Sequence, residues 1–145
     1  MTPGATPTTT EPAMERLGDR LLLPGRPGAA GDGRAVRLAV RERAAKVVGA
    51  PGVLDDIELM TSEAIANAVL HGSGAIRIAV ATDGRRVRVE VRDDGPACGR
   101  ADPARHGVDH GRGLAVIDAL ATEWALEYAS CGTHLWFVVD PPPGA

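Results

Sequence analysis

Residues 76–92 read IRIAVATDGRRVRVEVR. Ile76, Ile78 and Val80 alternate with smaller or charged residues. Val87, Val89 and Val91 alternate strictly with Arg86, Arg88, Glu90 and Arg92. A period of two marks a β-strand with one buried face. Thr82-Asp83-Gly84-Arg85 lies between the two runs and carries the Asp-Gly signal of a hairpin turn. One face of the pair is apolar and the other charged. This predicts an antiparallel sheet covered on one side only.

The flanking sequence supplies the cover. Leu54 to Leu70 predicts a helix that is apolar over most of its surface, with Ile57, Met60, Ala64, Ile65 and Ala68 among its residues. Such a helix is expected to be buried against a sheet. Before it, Val36, Val40, Ala44 and Val47 recur at helical spacing between Arg34 and Val48. Gly49-Ala50-Pro51-Gly52 is expected to end that helix. Leu21–Leu23 predicts a short strand, and residues 24–33 a loop. After the hairpin, residues 94–112 are rich in Gly, Pro, Asp and His. A loop of that length inside a compact domain is usually functional. A third helix is expected from Leu114 to Thr122. Strands Trp124–Tyr128 and His134–Val139 then form a second hairpin around Ser130-Cys131-Gly132-Thr133. The fold class that follows is an α/β (α+β) two-layer sandwich, a mostly antiparallel sheet with helices on one face.

The chain has 145 residues, enough for one domain. A chain of this size hides roughly 70% of its unfolded surface. A Pro/Thr-rich tail is expected over residues 1–15, one domain over 19–140, and a second tail over 141–145. Four aromatic residues (Trp124, Tyr128, Trp136, Phe137) leave a core built mainly of Val, Leu, Ile and Ala. The net charge of −3 argues against binding nucleic acid by phosphate neutralisation. No run reaches the roughly 18 apolar residues of a membrane span. The N-terminus lacks the basic start and apolar stretch of a signal peptide, so a cytoplasmic protein is expected. Cys98 and Cys131 are too few for a disulfide scaffold. Fifteen of the 16 basic residues are Arg, there is no Gln, and Asn67 is the sole Asn. The Arg preference follows from GC-rich codon usage. The solitary Asn stands out against it.

Four elements carry chemistry. Glu63, Asn67 and His71, spaced i, i+4, i+8, form a polar stripe on the apolar helix. Burying such groups costs several kcal/mol unless something satisfies them. An Asn oxygen is a hard neutral ligand suited to Mg²⁺, a Glu one turn away can accept a proton, and a His can donate to phosphate. Read alone, the stripe fits a solvated helix face equally well. The second element, Asp93-Asp94-Gly95-Pro96-Ala97, follows the valine strand. A carboxylate there can accept from an adenine amino group, and Gly95 permits close approach of a planar base. An Asp-Gly turn is the commoner reading. The third, Gly111-Arg112-Gly113-Leu114, opens a helix whose exposed N–H groups can bind anions, with Arg112 adding charge-assisted donors. A plain glycine entry to a helix has the same sequence. The fourth, Gly132-Thr133, places a hydroxyl in the last hairpin, where a turn Thr is the bland reading.

As an ordered set, E63-x3-N67-A68-x2-H71-G72, D93-D94-G95-P96, G111-R112-G113-L114 and G132-T133 resembles the GHKL ATPase superfamily, which includes histidine-kinase ATPase domains, DNA gyrase and MutL. Within it, the chain resembles the small branch of anti-sigma-factor serine/threonine kinases, the RsbW-like ATP-binding regulators. The resemblance covers about residues 19–140. It implies a Bergerat ATP-binding fold, with ATP and Mg²⁺ as cofactors. By matching position it implies Glu63 as catalytic base and Asn67 as Mg²⁺ ligand. Asp93 matches the adenine carboxylate and Gly95 the close-approach glycine. Gly111 and Gly113 match phosphate-loop residues, and Thr133 a base-side contact. Residues 96–110 match a short ATP lid. One departure is Gly95-Pro96-Ala97, where the superfamily has Gly-x-Gly. The implied partners are a sigma factor and an anti-anti-sigma (STAS-type) protein whose Ser or Thr receives the γ-phosphate, with homodimerisation common among relatives. Neither nucleic acid nor membrane is an expected direct partner.

Two function classes stay open at this level, a serine/threonine protein kinase and a non-catalytic ATP-responsive binding switch. A sensor histidine kinase is disfavoured, since residues 1–30 supply no phospho-acceptor helix pair. His106-x3-His110 with Cys98 and Cys131 has some zinc-like spacing but no CxxC pair, and the lid reading of both His residues is preferred. No Gly-x-Ser-x-Gly elbow suggests a hydrolase.

Overall fold

The computed structural model describes residues 14–23, 30–71, 74–93, 111–129 and 132–141. Its strands are β1 (Glu15–Arg16), β2 (Leu21–Leu23), β3 (Ile76–Thr82), β4 (Val87–Asp93), β5 (Glu123–Ala129) and β6 (Gly132–Val139). Its helices are α1 (Ala30–Ala44), α2 (Pro51–His71) and α3 (Gly111–Leu120). The six strands form one sheet in the order β1-β3-β4-β6-β5, with β2 also paired to β3 beyond β1, and every pairing is antiparallel. Among the described residues, no helix is long and apolar enough to cross a membrane.

The alternation in the central hairpin sets the layers. Ile76, Ile78, Val80, Val87, Val89 and Val91 are buried, and the register pairs Val89 with Phe137 and Val91 with Leu135. Directly opposed residues share a face, so β6 contributes Leu135, Phe137 and Val139 to the same side. The helices cover this side with Val36, Val40 and Ala44 from α1, Ile57, Met60, Ala64 and Ala68 from α2, and Ile117 from α3. Full burial of one such large side chain contributes about 1.5–3 kcal/mol of transfer free energy. The two-layer sandwich expected from the sequence is the architecture observed.

Several boundaries differ from expectation. β1 is an additional strand: Glu15, expected in the tail, pairs with Thr82, and the Leu17 amide donates to the Val80 carbonyl at 2.7 Å. α1 begins at Ala30, inside the expected loop, and its regular part stops at Ala44. The chain then tightens, with i→i+3 bonds from Lys46 to Arg43 and from Val47 to Ala44, and Val48 is still buried. Pro51 does not merely end α1; it opens α2, where a helix needs no N–H. α2 is also less enclosed than its composition suggests, because Leu59, Val69 and Leu70 are exposed. Its burial is confined to one face. On one flank, Arg37 and Arg41 of α1 clasp it through Glu58 and Asp55.

The β3–β4 turn is held by Asp83. Its Oδ1 accepts from the Arg85 and Arg86 amides at 3.0 and 2.7 Å, and its Oδ2 takes the Arg86 guanidinium at 3.0 Å. Gly84 has φ +96°, the left-handed region this turn requires. The Arg86 amide, with further help from the Arg85 amide and the Arg86 side chain, lowers the Asp83 carboxyl to about 2. Asp83→Ala should cost about 1–2 kcal/mol, read by thermal or urea melts. A depressed carboxyl stabilises the fold above its unfolded pKa and loses that contribution as pH falls through the folded value. The parent should therefore lose part of its advantage over the variant between pH 3.8 and about 2.

Candidate functional site

β4 carries its strict alternation one residue further than its valines. Asp93 is in phase with Val87, Val89 and Val91, so it faces the helices and is only 3% exposed. The register sets it beside Ile76 on one side and Thr133 on the other. The Thr133 hydroxyl donates a short hydrogen bond to Asp93 Oδ2. Asp93 Oδ1 is buried and has no partner among the described residues. A buried acceptor left in this state costs free energy that a bound donor would recover.

Connectivity brings other candidates to the same end of the sheet. α2 ends at His71, and β3 starts at Ile76, the register partner of Asp93. The last turns of α2, with Asn67 and the backbone of His71, therefore lie at the Asp93 end. α3 ends at Leu120, close to Glu123, which pairs with Val138 at the opposite end of the sheet. The Thr122 amide donates to the Val138 carbonyl at 2.8 Å. α3 packs on α2, so its first turn, Gly111 to Leu114, is directed back toward the Asp93 end. That turn belongs to the helix itself, because α3 begins at Gly111 rather than at the expected Leu114, and it ends before Thr122. Leu114 is buried and anchors the turn.

Glu63 and Asn67 are half-buried on α2. Asp55, Glu58 and Ser62 mark the flank turned to α1, and the helical period places Glu63 and Asn67 on the other flank. Among the described residues, no hydrogen bond or ion pair engages either side chain. Nothing among the described residues accounts for a carboxylate and an amide there. Gly95, Ala97, His106, His110, Cys98 and Cys131 lie outside the described residues, as do the side chains of His71 and Arg112.

Thr133 was expected in a turn but is the second residue of β6, and Ala129 pairs with Gly132 across the hairpin. Its bond to Asp93 is the feature of the site that the sequence reading missed. The alternating pattern of β4 and β6 contains the phase of both residues, but not the fact that these two strands are neighbours.

An antiparallel sheet with helices on one face is consistent with a domain of the GHKL ATPase type. More particularly, residues 27–139 match the histidine kinase-like ATPase domain, and the chain belongs to that family. A search of curated proteins returns no match. The family makes this an ATP-binding domain. Asp93 Oδ1 fits that ligand, since an adenine amino group is a donor of the kind this oxygen lacks.

Proposed function

We propose that the protein is an ATP-dependent serine/threonine protein kinase of the anti-sigma-factor type. In this reading it phosphorylates a small STAS-type anti-anti-sigma protein and sequesters a sigma factor in its unphosphorylated partner's absence. The observation that carries the reading is the buried Asp93 carboxylate, tied by Thr133 and left with one unpartnered oxygen. The ordered motifs quoted above support the narrower assignment to the anti-sigma branch.

Asp93 accepts from the base, and Thr133 fixes the carboxylate in position. The amides of the first α3 turn, with Gly111 and Gly113, take phosphate oxygens. Arg112 adds positive charge, and His71 at the end of α2 donates to phosphate. Asn67 offers its oxygen to Mg²⁺. ATP with Mg²⁺, when bound, supplies the phosphoryl group and a diphosphate leaving group. Glu63 takes the proton from the attacking Ser or Thr hydroxyl, whose oxygen forms the new bond to phosphorus as the bond to the leaving oxygen breaks. Such transfer depends on positioning and charge neutralisation more than on covalent chemistry.

The test incubates the full chain with ATP, Mg²⁺ and a STAS-type anti-anti-sigma protein, and follows the intact mass of that protein. The expected result is a gain of one phosphoryl group that requires Mg²⁺. Normal ATP binding with no transfer would sink the kinase and leave a non-catalytic ATP-responsive switch.

A further inference from the structure

Behind the Asp93–Thr133 pair, on the sheet face turned away from the helices, lies a second row of polar side chains. Arg92 and His134 are the next pair along the β4–β6 ladder, and Glu127 of β5 is the other register partner of His134. This row spans the same three strands, at the same end, as Asp93, Thr133 and Tyr128. β4 stops at Asp93, β5 stops at Ala129 and β6 starts at Gly132, so both rows sit where the ladder runs out. His134 reaches diagonally along β4, where its Nε2 lies 3.0 Å from Glu90 Oε1. Diagonal neighbours are within reach of long side chains. Its Nδ1 lies 3.5 Å from Glu127 Oε1. One imidazole thus stands between carboxylates of the two strands that flank its own. Arg88 Nη2 lies 3.0 Å from the other Glu90 oxygen.

The two contacts compete for protons. A carboxylate only accepts, so each must receive a ring N–H. The neutral ring carries one, and the shorter contact gives it to Nε2. Nδ1 then turns a lone pair toward Glu127. The protonated ring donates from both nitrogens and ties β4 and β5 to β6. Imidazole is the side chain whose charge ordinarily changes between about pH 5 and pH 8. Glu90 stays ionised over that interval. The His134 hydrogen bond, helped by the charges of Arg88 and Arg92, holds it below the usual carboxylate range. We propose that His134 is a positioning residue for the nucleotide site. Bridging Glu90 and Glu127, it holds the ends of β4, β6 and β5 in register from the outer face, and so keeps the Thr133 hydroxyl on Asp93. Loss of its proton as pH rises loosens the bridge and weakens nucleotide binding. Among the described residues, the charged groups around the ring are Glu90, Arg88 and Arg92 from β4 and Glu127 from β5, with Arg20 and Arg77 lining the groove beside Glu90 and Arg92. Arg92 opposes the protonated ring, and the two carboxylates favour it. The inference rests on the reading of Asp93 as the base contact.

The test is calorimetric titration of the full chain with ATP and Mg²⁺ at the two ends of that pH interval. The parent is compared with His134→Gln, Glu127→Gln and Asp93→Ala. Titration of the ATP phosphates is common to all four chains and cancels in the ratio of parent to variant affinity. For both Gln variants that ratio should be roughly threefold at the acid end, in line with the modest strength of partly exposed ion pairs. It should fall to one or below at the alkaline end. Gln keeps a neutral donor for Glu90 but cannot gain a charge. The Glu127 side chain is 59% exposed, so its substitution should leave the fold intact and guards against a folding artefact. A His134 that only supports the fold would lower affinity equally at both ends. That outcome, or Gln variants that match the parent at the acid end, would overturn the proposal while Asp93→Ala still loses binding. Asp93→Ala binding like the parent would remove the base-contact reading, and the proposal with it.

Discussion

Replacing Asp93 and Thr133 together by Val should weaken nucleotide binding by about a hundredfold and leave the free domain at least as stable as its parent. The two side chains are register partners joined by one hydrogen bond, and the second carboxylate oxygen is buried without a partner among the described residues. A buried unsatisfied polar atom costs about 1–3 kcal/mol. The double substitution removes donor, acceptor and orphan at once. Val is close to Thr in shape, suits a strand, and continues the valine face of β4. Exchanging a buried polar pair for apolar groups of similar shape is often neutral or stabilising. Thr133→Val alone should behave oppositely. It leaves both carboxylate oxygens without a partner among the described residues and should cost about 1–3 kcal/mol of stability. Nucleotide affinity should fall by about a hundredfold in the double variant, the worth of a strong hydrogen bond to a carboxylate. Calorimetric titration with ATP, and thermal melts without it, read the two effects separately. If the double variant binds ATP like the parent, Asp93 is not the base contact. If it melts below Thr133→Val, the orphaned oxygen carries no strain.

The central hairpin was legible because its information is local. The period of two in Val87, Val89 and Val91, with Asp-Gly at the turn, specifies strands, faces and the connection within about twenty residues. The site was legible only as separate pieces. Asp93 and Thr133 are 40 residues apart, and no local signal states that β4 and β6 are neighbours. β1 was invisible for a different reason. Two residues have no periodicity, and Glu15–Arg16 is a strand only because β3 has an edge to pair with. At α1, Gly31 and Gly33 have poor helix propensity, yet helix extends through them. Pro51 misled because the same residue that prevents α1 from continuing is preorganised to start α2. On α2, a count of apolar residues overstated the buried surface. Leu59, Val69 and Leu70 lie off the face defined by Ile57, Met60 and Ala64. The charged outer face of the sheet was read as solvated. Alternation alone shows that Arg77 and Arg92 point outward. Register is needed to show that they oppose each other.

Glu63→Ala and Asn67→Ala should separate chemistry from binding. The two residues stand one turn apart on the same flank of α2, half-buried, with no bond to another described residue. Truncating either removes no hydrogen bond or ion pair to a described residue, and Ala is the best helix former. Both variants should therefore melt within about 0.5 kcal/mol of the parent, and any functional loss is read without a folding correction. Loss of a general base slows a step by about 10²–10⁴. Glu63→Ala should accordingly suppress phosphoryl transfer to that extent while ATP affinity stays nearly unchanged. Asn67→Ala should act earlier, lowering ATP affinity measured with Mg²⁺ and flattening its dependence on Mg²⁺ concentration. Transfer at the parent rate in Glu63→Ala would remove that residue as the base. Equal affinity and equal Mg²⁺ dependence in Asn67→Ala would remove the metal-ligand role of the chain's one Asn. The same outcome would return the polar stripe to an ordinary solvated flank, because its positioning on α2 would then have no ligand to explain it.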